Sequence, residues 1–328
     1  MELILAAADG RELRVVDGDI DIQIGGEEST FELTIPYSFW QRDMTFGMMI
    51  YFPETEYGGI IKHIKSDTTA NEIYVSGYTW RGYLEKRIIE PPAGSAYKIV
   101  SGELHAVISA LIGSSLGSRF VVSQEDTGIS VSNYRFARYC TLLDGLSAML
   151  ETVGYRLNIR YVQTDLSGYV ELSAVPAVNY GSEVELSQDY QINFISENYQ
   201  MGVNHMICLG SGELAERTVI HLYMDKDGNI SETQTIFGIN EVAVTYDLTG
   251  AEESDLIQSG TERLMELANY KNFSASIDVF DDIGASIGDT ITGKDYITGT
   301  TITKPIVQKI ITRKSGVIST EYEIEGDI

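Results

Sequence analysis

Gly210 and Gly212 belong to a short stretch that could, by residue type and spacing, form a phosphate-binding loop. The run from Gly210 to Ala215, GSGELA, matches G-x-G-x-x-A, a variant of the dinucleotide-binding fingerprint. That fingerprint requires a helix directly after it, because the pyrophosphate lies at the helix N-terminus. Here the following residues, ERTVIHLYM (216–224), alternate as a β-branched and aromatic strand. The pattern therefore predicts strand, loop and strand, and it argues against a nucleotide site.

A second candidate lies just downstream, where DKDGN (225–229) resembles the opening of an EF-hand calcium loop. The sixth position of such a loop is Gly and the twelfth is Glu. In this sequence they are Ile230 and Ile236, and no helix pattern flanks them. The run is therefore predicted to be a hairpin turn.

Histidine and cysteine spacings indicate no metal centre and no catalytic set. No histidine pair has the H-x-x-x-H spacing of a metal site, although His205 and His221 could face each other across a hairpin without an evident third ligand. The two cysteines are predicted to be small buried hydrophobes, and no G-x-S-x-G elbow is present. The sequence predicts no catalytic residue, no metal ligand and no cofactor. The residues concerned are His63, His105, His205, His221, Cys140 and Cys208.

An aromatic and basic group could form around Trp80 and Arg81, with Tyr83 and Arg87 close by in sequence. Six acidic residues lie between Glu54 and Glu90, so the local field is not basic enough for nucleic acid. Packing beneath a short helix is the predicted role of this group.

Acidity is the strongest feature of the composition. The chain has 328 residues, with 48 Asp and Glu against 23 Lys and Arg, for a net charge of -25. Residues 185–270 alone contain 15 acidic and 3 basic side chains. Such a surface repels nucleic acid and anionic membranes. The acidic segment is either a solvated face or the lining of an electronegative channel.

No signal peptide or membrane span is evident, because the N-terminus lacks a basic region and its apolar run is short. The chain is therefore expected to be made in the cytoplasm without a membrane anchor.

The elements that position these residues are mostly strands. Residues 1–100 read as short strands, with a hairpin at Asp9-Gly10 and a short helix before Pro91-Pro92. Residues 101–184 contain two helical stripes, one beginning at a Ser101 cap and closing at Gly117, the other capped by Thr141.

Strands return from about residue 185 to residue 247, and a third helix follows. Thr249 and Glu252 have the spacing of a capping box at its start. The fold class is therefore predicted as mainly β with an α+β insert. Two small β-barrel, tube-type domains are expected, one from 1–100 with 185–248 and one from 271–328. An inserted α+β domain (101–184) and a linking helix (249–270) complete the prediction.

Several stretches together resemble the tail hub, or baseplate hub, proteins of tailed bacteriophages and phage-derived contractile injection particles. They are GYTWRGYLEKRIIEPP, TLLDGLSAMLETVGYRLNIRYV, LGSGELAERTVIHLY, LIQSGTERLMEL, and ASIGDTITG followed by IVQKIITRK. Each motif alone is weak, and their order and spacing across nearly the whole chain carry the resemblance. With no added peptidase, lysozyme or fibre domain expected, the chain resembles the short, structural form of the hub.

The resemblance implies a homotrimer in the virion tail, at the baseplate or tail tip, where the tail tube begins. Its implied partners are the tail tube or distal tail protein, the tape measure protein and a spike or tip protein. DNA would pass through without specific binding, which an acidic lining favours because like charges repel.

The resemblance also redirects the two-glycine stretch to an assembly loop, where the chain re-enters the first tube domain. Gly210 and Gly212 would form a tight turn there. Glu213 or Glu216 would pair with Arg217, to fix the turn or to cross a subunit boundary. In the last barrel, Gly288 and Asp289 are the predicted turn before a strand.

Two other functions stay open at this stage. A tail-associated cell-wall hydrolase would need a catalytic pair hidden among the acidic residues. A carbohydrate or receptor binder would need an exposed aromatic cluster, and none is evident among the 20 tyrosines.

Overall fold

A computed structural model describes residues 2–26, 28–113, 115–164, 167–180, 185–186, 194–198, 202–268, 271–279, 284–297 and 299–324. The contacts divide the chain into two compact units. The first comprises Met1–Phe194 and Ala275–Glu325, and the second Ile195–Ser274 and Gly326–Ile328. Strands predominate, which confirms the predicted mainly β fold class with helices.

One long sheet forms the frame of the first unit. Its main path runs β19-β22-β21-β3-β4-β7-β6-β5-β1-β2, and β20 pairs with β21 at its side. The strands are β1 (Ile4–Ala6), β2 (Glu12–Val15), β3 (Asp19–Gly25), β4 (Thr30–Pro36), β5 (Met49–Tyr51), β6 (Gly58–Asp67), β7 (Glu72–Thr79), β19 (Lys271–Val279), β20 (Thr290–Asp295), β21 (Thr300–Lys314) and β22 (Val317–Ile324). Strand β13 (Glu185–Leu186) pairs parallel to β20, and β14 spans Phe194–Asn198.

Period-two alternation explains why these residues form a half-buried sheet. In β3 the isoleucines are buried and the aspartates exposed, as the Asp-Ile repeat predicts. The predicted Asp9-Gly10 hairpin joins β1 and β2, which pair antiparallel. Strand β21 then pairs antiparallel with β3, with Ile311 opposite Ile22. The C-terminal strands therefore continue the N-terminal sheet through backbone hydrogen bonds.

The helical part of the first unit packs on one core. Helix α1 (Trp80–Glu85) follows β7, α2 (Leu104–Ile112) follows β8 (Ile99–Glu103), and α3 (Leu142–Glu151) follows β10 (Ser130–Arg135). Strand β8 pairs with β10 in a two-stranded ribbon. A further sheet has β12 (Gly168–Pro176) between β11 (Tyr155–Gln163) and the short parallel strand β9 (Phe120–Val122).

The helix caps agree with the sequence in one case and differ in two. Thr141 caps α3 as predicted and accepts the Asp144 amide at 3.0 Å. Helix α2 is capped by Glu103 rather than Ser101 and ends at Gly113 rather than Gly117. The Glu103 carboxylate can reach the Ala106 amide and Thr127 together, so it is the stronger acceptor.

The second unit is a four-stranded sheet with one helix on it. The sheet order is β17-β16-β15-β18, and β15 runs parallel to β18. Its elements are β15 (His205–Leu209), β16 (Val219–Met224), β17 (Ile230–Ser231), β18 (Ala243–Asp247) and α4 (Glu253–Ala268). The helix covers the face that carries Met206, Cys208 and Leu222. Helix α4 begins at Glu253, and the Thr249 hydroxyl donates to Asp247 instead of forming the predicted capping box.

The grouping of strands differs from the predicted domains at two places. Strands β15–β18 form a sheet with α4 rather than completing the 1–100 sheet, because α4 supplies the apolar cover that β15 and β16 need. Strand β21 extends the sheet of β3. The boundaries at residues 100, 184, 248 and 270 stay predictions.

Candidate functional site

The two-glycine stretch is a hairpin loop between β15 and β16. The Gly210 amide donates to Thr218 O at 2.8 Å, and the Thr218 amide donates to Ser211 O at 2.7 Å. Gly212 has φ 93°, and a Cβ there would lie 2.4 Å from the Glu216 carbonyl oxygen. Glycine is therefore required at this position for both its backbone angle and its size. The loop leads into the strand β16, as the alternating pattern after Ala215 predicts.

Arg217 closes the loop from its side. Its Nε donates to Gly210 O at 3.2 Å, and its Nη2 donates to Leu209 O at 3.4 Å. The same Nη2 lies 2.5 Å from Asp247 Oδ1. Arg217 therefore fixes the end of β15 to the end of β18.

Asp247 replaces the predicted ion-pair partners of Arg217. Glu213 and Glu216 are exposed in the loop, and neither forms the ion pair expected from sequence proximity. Parallel pairing places Asp247 directly opposite Leu209, at the base of the loop. The hydrogen bond from Arg217, and then that from Thr249, hold the pKa of the Asp247 carboxyl below its usual range.

Asp289 forms a second junction, within the first unit. Its side chain is fully buried, and its Oδ1 accepts Arg156 Nε at 2.7 Å and the Val178 amide at 2.8 Å. Its Oδ2 accepts the Ser286 amide at 2.8 Å. One carboxylate thus joins β11, the segment after β12, and the turn before β20.

Gly288 allows that junction to form. It has φ 89°, and a Cβ there would lie 2.9 Å from the Cβ of Arg156. The predicted turn therefore lies directly before β20, which begins at Thr290. Arg156 also borders a cleft of about 750 Å³ shared with Thr141, Asp144 and Gly288, and its buried Nη1 has no hydrogen-bond partner.

Two histidines meet on the face of the second unit's sheet opposite α4. His205 Nε2 and His221 Nδ1 are 2.8 Å apart, as the predicted hairpin suggested. Glu241 Oε1 lies 2.7 Å from His205 Nδ1, and the Tyr223 ring stacks on His205 with centroids 4.3 Å apart. The result is a Glu–His–His chain that runs from a half-buried carboxylate to an exposed imidazole.

The Glu241–His205–His221 contacts can be assigned donors and acceptors from the two histidine tautomers. Two neutral histidines satisfy both short contacts when His205 donates to Glu241 and His221 donates to His205. Within the described residues, no group of three His, Cys, Asp or Glu side chains could hold a metal ion.

The Trp80 and Arg81 group is a packing feature, as predicted. Both side chains are buried, and Arg81 pairs with Glu56 at 3.1 Å while its Nη2 donates to Leu157 O at 3.1 Å. Trp80 stacks on Tyr161 with ring centroids 5.5 Å apart.

The sequence did not indicate three partners that the structure supplies. They are Asp247 for Arg217, Glu241 for His205 and Arg156 for Asp289. Each pair is 30 or more residues apart, so no local spacing could reveal it. Only the tertiary fold brings them together, through strand register for Asp247 and Glu241 and through the turn before β20 for Asp289.

No protein family and no curated protein matches the sequence. Solved structures match almost end to end. The 43 kDa tail protein of prophage MuSo2 from Shewanella oneidensis aligns over 99% of this chain and 98% of its own, with TM-score 0.57 and 11% identity. The prophage tail protein gp18 from Listeria monocytogenes covers 100% and 96%, with TM-score 0.54 and 12% identity.

A chain of the phage P2 baseplate in its activated conformation covers 99% of both chains, with TM-score 0.54 and 10% identity. The chain has a phage tail protein fold. The likeness lies in the arrangement of elements, because so little sequence identity remains. In the described part of this phage-tail-like chain, no helix is long and apolar enough to cross a membrane.

Proposed function

We propose that this chain is a structural, non-enzymatic hub of a phage tail or tail-like particle, located where the tail tube meets the tip or spike. The observation that carries the proposal is the end-to-end fold match with phage tail and baseplate proteins. A match over the whole of both chains supports a shared architectural role better than a match of one domain would.

The hub assembles as a homotrimer around a channel for DNA and the tape measure protein. The charge of -25 supports this, because an acidic lining does not retain phosphate groups. The long antiparallel sheet of the first unit also supports it, because sheet edges such as β2 are covered when subunits pair around a ring. The tube or distal tail protein and the spike are the neighbouring components.

A particle assay tests the role directly. The gene is deleted from the phage or tail-like particle, and tails are counted by negative-stain electron microscopy with and without complementation. Antibody labelling should place the protein at the tail tip. Normal tails without the protein, or labelling along the outside of the tail, would contradict the proposal.

A zymogram tests the non-enzymatic part. The purified chain should leave peptidoglycan intact at concentrations where a known hydrolase clears it. Clearing that one carboxylate substitution abolishes would establish the cell-wall hydrolase instead.

A further inference from the structure

Basic and apolar side chains lie close together in one part of the first unit, around the segment 136–142. The segment 136–142 runs beside the ends of two other segments: the Phe136 amide donates to Lys98 O at 3.0 Å, and the Leu142 amide donates to Arg87 O at 2.7 Å. Ile99 lies opposite Arg135 in the β8–β10 ribbon. We call this region the basic ribbon, defined by Arg87, Ile88, Lys98, Ile99, Arg138 and Tyr139.

The basic ribbon has the composition of a protein interface. Ile99 and Tyr139 are each 56% exposed, and Ile88 is 50% exposed. Within the described parts of the chain, no carboxylate pairs with Lys98 or Arg138. Exposed apolar side chains among arginines and tyrosine are typical of surfaces that bind protein.

The second unit presents a surface of opposite charge. The turn 225–229 joins β16 to β17 at the end of the sheet where β15 and β18 begin, and the loop 232–242 returns from β17 to the start of β18. Phe237 is 63% and Ile239 96% exposed there. We call this surface the acidic tip, defined by Asp225, Asp227, Glu232, Phe237 and Ile239.

The acidic tip is held in place rather than loosely attached. Asn204 Nδ2 donates to Asn240 O at 2.7 Å, and the Val242 amide donates to Asn204 Oδ1 at 3.0 Å. The Glu241–His205 contact fixes the loop on its other side. Two large apolar side chains are thus presented on a fixed loop, which lowers the entropy lost when they bind.

We propose that the basic ribbon of one copy of this chain binds the acidic tip of a second copy. Charge complementarity selects this occupant, because the tip combines exposed carboxylates with apolar side chains and the ribbon combines cations with apolar side chains. DNA is a poorer fit to the ribbon, since it would meet the field of a chain with net charge -25 and would leave the isoleucines uncovered.

Because the two surfaces differ, the contact is heterologous, and repeated head to tail it builds a ring when the rotation between neighbouring copies closes. The inference rests on the proposed hub function, for which it names the contact between neighbouring subunits. The two proposals have separate tests: the location of the hub is measured in particles, and the contact between subunits is measured in purified protein.

A charge-reversal set tests the contact by sedimentation velocity of the purified full chain over a concentration series. Lys98→Glu with Arg138→Glu reverses the ribbon, and Asp227→Lys with Glu232→Lys reverses the tip. Each double variant should weaken self-association at least about a hundredfold, because like charges then face each other. All four substitutions in one chain should restore it.

Arg11→Glu with Lys314→Glu is the matched control, because it changes the net charge as the ribbon variant does, at exposed residues elsewhere. The control should associate as wild type does at equal ionic strength. Phe237→Ser with Ile239→Ser should also weaken association, and this loss should persist in high salt.

Three results would overturn the inference. The first is wild-type protein that stays monomeric throughout the concentration series. The second is double variants that associate as well as the control. The third is a quadruple variant whose self-association is as weak as that of the double variants. DNA binding that the ribbon variant abolishes would assign the ribbon to nucleic acid instead. None of these results contradicts the hub function, which the particle assay tests separately.

Discussion

Asp289→Asn should destabilise the first unit far more than an equivalent change at the surface. The carboxylate accepts three hydrogen bonds, from Arg156 Nε and from the amides of Val178 and Ser286. An asparagine has one acceptor oxygen, so its NH₂ group must face a donor on at least one side. Arg156, whose side chain is only 14% exposed, also loses its counter-charge.

The cost follows from burial. Removing one partner of a buried ion pair costs about 3–5 kcal/mol, because the other charge is left without compensation. For a unit of this size, that loss should lower the unfolding temperature by about 10 °C. The matched control is Asp43→Asn, since Asp43 pairs with Arg14 at 2.8 Å but its side chain is 43% exposed. An exposed pair of this kind contributes at most about 1 kcal/mol.

Tryptophan fluorescence in urea is the assay. Both tryptophans, Trp40 and Trp80, belong to the first unit, so the signal reports that unit alone. The midpoint should fall strongly for Asp289→Asn and slightly for Asp43→Asn. Equal shifts for the two variants would refute the reasoning, because burial would then have no influence on the cost of the lost charge.

Three further predictions concern other positions. Partial burial raises the pKa of Glu103, but hydrogen bonds from the Thr127 hydroxyl and from the Ala106 and Thr127 amides lower it to about 2. Glu103 therefore stabilises the fold above its unfolded pKa near 4.5, and this stabilisation is lost as the pH falls towards 2. Glu103→Gln should cost about 1 kcal/mol at pH 7 and show a smaller loss on acidification than wild type or the exposed control Glu151→Gln, and parallel curves in acid titrations would contradict this. Gly212→Ala should destabilise the second unit by about 2–3 kcal/mol. The control Gly228→Ala should cost about 1 kcal/mol, because Gly228 has a similar φ of 86° but open space around it. Hydrogen exchange of the β15 amides measures the difference, and equal protection in the two variants would show that the clash at residue 212 is relieved. Arg217→Ala should impair trimer formation or tube docking in light scattering and tail-assembly assays more than Arg11→Ala, a change at an exposed arginine elsewhere, and normal assembly would show that the loop is not an assembly element.

Local patterns determined much of the secondary structure. Alternating Asp and Ile specify β3, Thr141 specifies the start of α3, and the alternation after Ala215 specifies β16. Each depends on residues a few positions apart, so one sequence contains the whole signal. The mainly β fold class and the resemblance to phage tail proteins followed from the order of such elements.

Tertiary structure decided the partners of those elements. The sequence placed β15–β18 with the N-terminal strands, but an apolar strand face accepts any suitable cover, and α4 provides it. It placed Glu213 or Glu216 beside Arg217, but parallel register brings Asp247 there instead. Asp289 read as a turn residue, and only the fold shows that it is buried against Arg156, 133 positions away.

The sequence by itself thus determined many of the strands and turns, the acidity and the strand that follows the two-glycine stretch. These follow from backbone preferences and charge, which act locally or sum over the whole chain. The tertiary structure alone decided which strand lies beside which and which carboxylate meets which guanidinium. Those choices depend on register and burial, where distant residues compete for the same partner and free energy selects among pairings that the sequence leaves equivalent.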